Sequence, residues 1–374
     1  MTSVRRKVAA IAGTALLLGS IAACSSERAS DSGDGETAAD SGDTLVGIAM
    51  PTRSLERWNN DGEHLEGLLQ DAGFETTLQY ADNKVDQQIT QLQNMINQGA
   101  DVLVIASIDG TALGPVLDQA AENDVPVIAY DRLINGSEHV DYYATFDNEL
   151  VGTLQGEFIV EQLDLEGGAG PFNLEPFAGS PDDNNAKFFF KGAWDVLAPY
   201  VESGQLVVPS GKSPATVDDW DSIGIQGWES AKAQSEMENR LNSFYTDKKV
   251  DVVLSPNDSL ALGIEQALEG ASYTEADWPI VTGQDADEAN VMNMLAGKQS
   301  MTVWKDTRTL GDQVATMVEQ IVAGDEVEVN DTETYDNGVK VVPSYLLEPQ
   351  VVTADTVESA LVESGFYTAE QLGL

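Results

Sequence analysis

In a chain of 374 residues, 63 Asp and Glu face 19 Lys and Arg, and the net charge of −44 repels phosphate backbones and anionic lipid heads. That argues against nucleic acid or a membrane-surface patch as partner, and solubility in an extracytoplasmic or salty setting accounts for the charge. With two histidines, His64 and His139, and one cysteine, there is no material for a histidine metal cluster, a histidine-based triad or an internal disulfide, so neither metal nor cofactor is expected.

The chain opens with Arg5, Arg6 and Lys7, continues in an apolar run too short to span a membrane comfortably, and ends that run in Leu18-Gly19-Ser20-Ile21-Ala22-Ala23 before Cys24. This order reads as a signal peptide over residues 1–23 with a lipobox, leaving Cys24 as the lipidated first residue of the mature chain. A retained transmembrane helix is the alternative. Residues 24–43 are Ser, Asp, Gly, Glu, Thr and Ala with almost no bulky apolar side chain, the composition of a flexible tether. The expected location is the outer face of the cell membrane, reached only through the lipid anchor.

Beyond the tether, about 330 residues remain, more than one hydrophobic core usually accommodates. Thr44–Met50 reads as a buried strand, and Leu55–Ala72 as a helix with Leu65, Leu68 and Leu69 on one face, stopped by Gly73. Phe74–Tyr80 repeats the strand and Val85–Gln98 the helix, with Ile89, Leu92, Met95 and Ile96 as its stripe. Asp101–Ala106, a helix over Thr111–Asn123 and a strand over Val125–Tyr130 continue the alternation.

After Tyr142–Phe146 the pattern begins again. Strand runs fall at Pro171–Phe177, Gln205–Val208, Val250–Leu254, Pro279–Thr282 and Met301–Trp304, with helices between them such as Glu229–Phe244 and Asp258–Glu269. The fold class is therefore α/β: two similar, doubly wound, parallel-sheet lobes. No Pro/Gly/Ser linker separates them, so the chain is expected to cross between lobes at several close strands that act as a hinge, with ligand in the cleft.

In open parallel sheets, ligands bind beyond the carboxyl ends of the strands, and here those ends carry polar or aromatic groups. Met50 leads into Arg53, Arg57 and Trp58; Tyr130 into Asp131 and Arg132; Phe177 into Asn184 and Asn185; Leu254 into Asn257; Thr282 into Asp285; and Trp304 into Lys305. A hydroxyl both donates and accepts, so Asp or Asn oxygens facing Arg, Lys or amide donors suit a neutral, hydroxyl-rich molecule. An indole such as Trp58 or Trp228 can stack on the apolar C–H face of a pyranose. A sugar fits this set.

Plainer roles exist for each residue: a structural ion pair for Asp131-Arg132, a core position for Trp58, a helix N-cap for Asn257 or Asp285. Their coincidence at the same end of successive strands favours the site.

Residues 45 to about 367 resemble the ChvE-type multiple-monosaccharide-binding proteins of ABC sugar importers, relatives of the xylose-binding proteins in the class I periplasmic-binding-protein fold. The resemblance rests on Val46–Thr52, Val127–Ile134, Asp141–Asn148, Ser180–Ala186, Gly283–Ala286 and Asn337–Leu347. It implies a cleft where Arg57, Asp131, Arg132, Asn257, Asp285, Lys305 and one or both of Asn184 and Asn185 hydrogen-bond sugar hydroxyls, while Trp58 and Trp228 stack on the ring. It implies lobes of 44–146 with 304–341 and of 147–303 with 342–374, an ABC permease as partner, and a monomer. Arg53 stands where the family has Lys, and Lys212–Gln226 departs from its pattern.

Other motifs are weaker. Gly211-Lys212-Ser213 ends like a phosphate loop, but Leu206 occupies the required glycine position. Asp82, Lys84 and Asp86 put a lysine where a calcium loop needs a ligand. A secreted glycosidase using a carboxylate pair is the rival class, whereas a sugar-responsive transcription factor would carry a helix-turn-helix in place of the leader.

Overall fold

The computed structural model describes residues 44–374, so the expected signal peptide and the lipidated Cys24 with its tether lie outside the described residues. The first lobe begins β1 (Leu45–Met50), α1 (Glu56–Asp71), β2 (Glu75–Tyr80), α2 (Val85–Asn97), β3 (Val102–Ile105), α3 (Gly114–Glu122), β4 (Val127–Tyr130) and β5 (Tyr142–Phe146). Branched apolar residues make β1, β3 and β4 nearly continuous buried runs, as a sheet covered on both faces requires.

The chain then builds a second lobe from α4 (Asn148–Gln162), β6 (Phe172–Pro176), α5 (Asn184–Ser203), β7 (Leu206–Val207), α6 (Ser230–Phe244), β8 (Val252–Leu254), α7 (Asp258–Gly270), β9 (Ile280–Val281), α8 (Glu288–Leu295) and β10 (Thr302–Trp304). It returns to the first lobe for α9 (Thr307–Ala323) and β11 (Ser344–Leu347), then enters the second again at β12 (Gln350–Val352). Among the described residues, no helix is long and apolar enough to cross a membrane.

The first sheet runs in the order β11-β5-β4-β3-β1-β2, with every pairing parallel. One face packs Leu65, Leu69, Leu310 and Val314 from α1 and α9. The other packs Leu92, Ile96, Val116 and Leu117 from α2 and α3. The second lobe has β7-β6-β8-β9 in parallel, extended by a bridge from Gln284 to Val303 of β10. There β12 pairs antiparallel with β10, the exception to the expected parallel order.

Three crossings join the lobes, after β5, after β10 and after β11. The first two end on aspartates that cap the next helix: Asp147 accepts from Leu150 N and Asp306 from Arg308 N. The last expected boundary, at 341/342, is corrected. Ser344–Leu347 pairs in parallel register with Tyr143–Phe146, so β11 is the edge strand of the first sheet and the chain crosses between Leu347 and Gln350.

Helices α4 and α5 meet unusually closely because the contact is made by glycines. A Cβ on Gly152 would collide with the Phe189 carbonyl, and one on Gly192 with the Glu149 carbonyl. This pair forms one side of the second lobe, and its N-terminal end carries the cleft-facing turn of α5.

Candidate functional site

A narrow cavity lies between the lobes, lined by Leu55, Arg57, Trp58, Asp131, Arg132, Asp183, Asn185, Phe189, Trp228, Asn257, Gln284, Asp285 and Lys305. Every expected residue except Asn184 is on its wall. Both sheets point their carboxyl ends at it, which is where a doubly wound fold leaves a crevice.

From the first lobe, the opening turn of α1 supplies Arg57 and Trp58. Arg57 Nη2 donates to Asp61 Oδ2 at 2.9 Å and to Asp131 Oδ1 at 2.7 Å, and Nη1 donates to Asp285 Oδ1 at 3.3 Å. Its guanidinium lies 4.4 Å from the Trp58 ring centroid, with that of Arg132 at 5.0 Å. Trp58 is 1% exposed and belongs to the apolar cluster around α1 as well as to the cavity wall. Its core and cleft roles coexist.

Asp131 follows β4 with φ of 60°, a left-handed conformation uncommon outside glycine. Its carbonyl is held by Tyr143 Oη at 2.7 Å, Thr145 Oγ1 at 2.9 Å and Asn185 Nδ2 at 2.7 Å. Strain sustained this way is a feature of functional sites. Burial would raise its carboxyl, but Arg57, Lys305 and Arg132 outweigh that and hold it below the usual carboxylate range.

Asp131 and Arg132 do not form the local ion pair that their adjacency suggested. Arg132 turns to the second lobe, where its Nε lies 2.9 Å from Asp183 Oδ2, and its Nη1 donates to the Ser107 carbonyl at 3.1 Å. Asp131 instead takes Arg57, with Lys305 Nζ at 4.0 Å.

The second lobe supplies the rest. Asp183 caps α5 by accepting from Asn185 N at 3.0 Å, and its Oδ2 accepts from Trp228 Nε1 at 3.1 Å. Asn185 reaches the cavity and Asn184 does not. Successive helical side chains diverge by about a quarter turn, so of the expected pair Asn184 lines an outer groove with Thr111, Asn135 and Lys187 and not the cavity wall. Trp228, at φ 56°, lies over Gly179, where a Cβ would strike the indole.

Asn257 caps α7 through Oδ1, which accepts from Leu260 N at 3.1 Å, so the N-cap reading is correct without displacing it from the cleft. Its Nδ2 has no protein partner among the described residues. Asp285, at φ 98°, receives Lys305 at 3.0 Å as well as Arg57 on Oδ1. Asp131 and Asp285 thus spend Oδ1 on cations. Among the described residues, Asp131 Oδ2 has only the 3.5 Å contact with Asn185 Nδ2, and Asp285 Oδ2 has none.

Sequence reasoning missed Asp183, Gln284, Phe189 and Leu55 on the wall. Asp183 and Gln284 sit inside segments that were singled out, each beside a residue that was chosen. Arg53 lies outside: it stacks 3.8 Å from the Tyr80 ring centroid and approaches Glu63 at the surface. The divergent Lys212–Gln226 stretch folds around a 3₁₀ turn at Val217–Ile223 that buries Trp220 near the outer groove.

Two parallel-sheet lobes, three hinge crossings and a polar cavity at the strand ends define a bilobal solute-binding fold. The chain belongs to the periplasmic binding protein domain family, whose model matches residues 46–326. It is 51% identical over 337 residues, 90% of this chain and 93% of the relative, to the multiple sugar-binding periplasmic receptor ChvE of Rhizobium radiobacter. It is 35% identical over 337 residues, 90% of this chain and 94% of the relative, to the D-xylose-binding periplasmic protein of Escherichia coli. A solved ABC transporter solute-binding protein from Clostridium phytofermentans with bound β-D-glucose matches at TM-score 0.84 and 55% identity, covering 88% of this chain and 100% of that one. One from Chloroflexus aurantiacus in complex with D-glucose matches at TM-score 0.80 and 34% identity, covering 87% and 97%.

Proposed function

We propose that this protein is an extracytoplasmic receptor that captures a monosaccharide between its lobes and delivers it to an ABC importer permease, and that Cys24 anchors it by lipid to the outer face of the membrane. The relatives support the ligand class, since a multiple sugar-binding receptor and two glucose-bound solute-binding proteins share its whole fold. Arg57, Asp131, Arg132, Asn185, Asn257, Asp285 and Lys305 serve as hydrogen-bonding contacts, and Trp58 and Trp228 as stacking surfaces.

The observation that carries this reading is a set of buried polar atoms on the cavity wall without protein partners among the described residues: Arg57 Nε, Trp58 Nε1 and Gln284 Oε1. Buried donors and acceptors are normally satisfied. Together with Asn257 Nδ2 and the Oδ2 atoms of Asp131 and Asp285, they give the wall residues both donors and acceptors. A ring of hydroxyls answers both kinds at once.

Two carboxylates of the wall, Asp131 and Asp183, favour binding without turnover. A glycosidase needs one carboxylic acid protonated near neutrality and a second carboxylate across the bond. Asp131 is held below the usual range by three cations. Asp183 is pushed up by burial against the pull of Arg132, yet both its oxygens are engaged by Arg132, Trp228 and Asn185. A thermal-shift screen across aldoses, ketoses and simple glycosides, with product analysis of the sugars that stabilise the protein, tests the reading. Stabilisation with unchanged sugar supports it, and hydrolysed or isomerised product sinks it.

A further inference from the structure

We infer that Asp183 is the positioning residue of the cleft: one buried carboxylate that orients three wall residues and joins the two lobes when they are closed. The inference rests on the sugar-binding reading and deepens it. Asp183 is 4% exposed and lines the cavity. Its Oδ1 accepts from the backbone N–H of Asn185 at 3.0 Å, which starts α5 and sets the direction of that side chain. Its Oδ2 accepts from the Trp228 indole at 3.1 Å and lies 2.9 Å from Arg132 Nε.

Those partners divide unevenly between the lobes. Asn185 and Trp228 belong with Asp183 to the second lobe and stay with it in any hinge movement. Arg132 belongs to the first and reaches Asp183 only when the lobes meet. Arg132 also lies over Trp58, so the ion pair ties the indole of one lobe to the indole of the other through a single carboxylate. Trp228 has little other freedom: its ring presses on Gly179 and its edge faces Phe189 at 6.3 Å between centroids. The contact with Asp183 selects which way the indole N–H points, and with it which face meets the ligand.

Removing the carboxylate leaves Arg132 unpaired in a buried site and releases Trp228. Truncating one partner of a buried charged pair weakens binding by about 30-fold or more. Asp183→Asn keeps one acceptor, enough for Asn185 N, but turns an amide donor toward the indole N–H and removes the charge that attracts Arg132. Because it still fills the space that Asp183→Ala empties, a smaller loss than in the alanine variant is expected.

The test is calorimetric titration of wild type, Asp183→Asn and Asp183→Ala with a monosaccharide that the wild type binds, alongside melting temperature and tryptophan emission with and without sugar. We expect Asp183→Ala to lose about 30-fold or more in affinity and Asp183→Asn about 10-fold. Asp183→Asn, which can still cap α5, should melt close to wild type and Asp183→Ala lower, as it loses the cap; both should show a diminished sugar-induced emission change. Trp228→Phe, which deletes the N–H contact together with part of the ring surface, should cost less in the Asp183→Ala background than in wild type. Equal affinities for wild type and Asp183→Asn, or additive losses in the double variant, would overturn the positioning role. A wild type that binds no monosaccharide would overturn the functional reading beneath it, a distinguishable result.

Discussion

The Arg57 guanidinium sits 2.7 Å from the Asp131 carboxylate, although one residue opens α1 and the other closes β4. That pair is the floor of the cleft. Because Arg57 also reaches Asp61 and, in the other lobe, Asp285, one planar cation connects three carboxylates.

A lysine cannot reproduce that fork, since its ammonium is a point charge without the spread of guanidinium donors. Arg57→Lys is expected to weaken sugar affinity by about 1–3 kcal/mol, the range for loss of charge-assisted hydrogen bonds. Calorimetry that found the affinity unchanged would remove Arg57 from the site.

Asn257 has two duties that different substitutions separate. Its Oδ1 caps α7, worth about 1 kcal/mol of stability, and its Nδ2 faces the cavity. Asn257→Ser restores a capping oxygen but not the amide donor. The serine variant should therefore melt close to wild type yet bind sugar about 10-fold more weakly, whereas Asn257→Ala should lose in both assays.

The second lobe contains buried carboxylates that make its stability sensitive to base. Burial pushes Glu265 up to about 8 despite a hydrogen bond from Asn293. Burial and neighbouring aspartates also raise Asp258 and Asp287. An acid with a raised folded pKa binds more protons folded than unfolded, so its contribution is fully present below the unfolded value near 4.3 and is lost as pH climbs toward about 8. Asp131, held low, has the opposite sign: its contribution is present above the unfolded value and is lost as pH falls through the folded one. Melting temperature should decline between pH 5 and about 9, and Glu265→Gln should flatten that decline. An unchanged slope would show that Glu265 is not protonated in the fold.

Gly179 permits the Trp228 indole to lie directly on the backbone. Gly179→Ala puts a methyl into the ring, so the indole must move. A loss of sugar affinity of about 10-fold or more, with altered tryptophan emission, is expected for an overpacked contact of this kind. Wild-type binding in that variant would mean that Trp228 is not a wall of the site.

Much of this was legible in the chain. The buried runs at Leu45–Met50, Val102–Ile105 and Tyr142–Phe146 declare themselves as parallel strands, and the stripe of Leu92, Met95 and Ile96 declares α2. Helix α4 does not, because its inward face is Asn148, Gly152, Gln155 and Gly156 as well as Val151 and Ile159, chosen for closeness to α5 and not for apolar character. β11 could not be assigned to its lobe from local pattern, since only the pairing with β5 decides it. In the site, strand-end logic located Asp131, Asn257, Asp285 and Lys305. It could not choose between Asn184 and Asn185, which depends on helix phase, and it passed over Asp183, whose cap position concealed its reach to Trp228 and Arg132.

The most direct test of the central claim is isothermal titration of D-glucose and other aldoses into the purified protein and into Asp131→Ala. One sugar should bind per chain in the wild type for at least one aldose, with a loss of about 2–5 kcal/mol in the variant, in which Arg57 and Lys305 lose one of the two carboxylates they share. Equal binding by both proteins would contradict it, as would the absence of any binding heat across the panel.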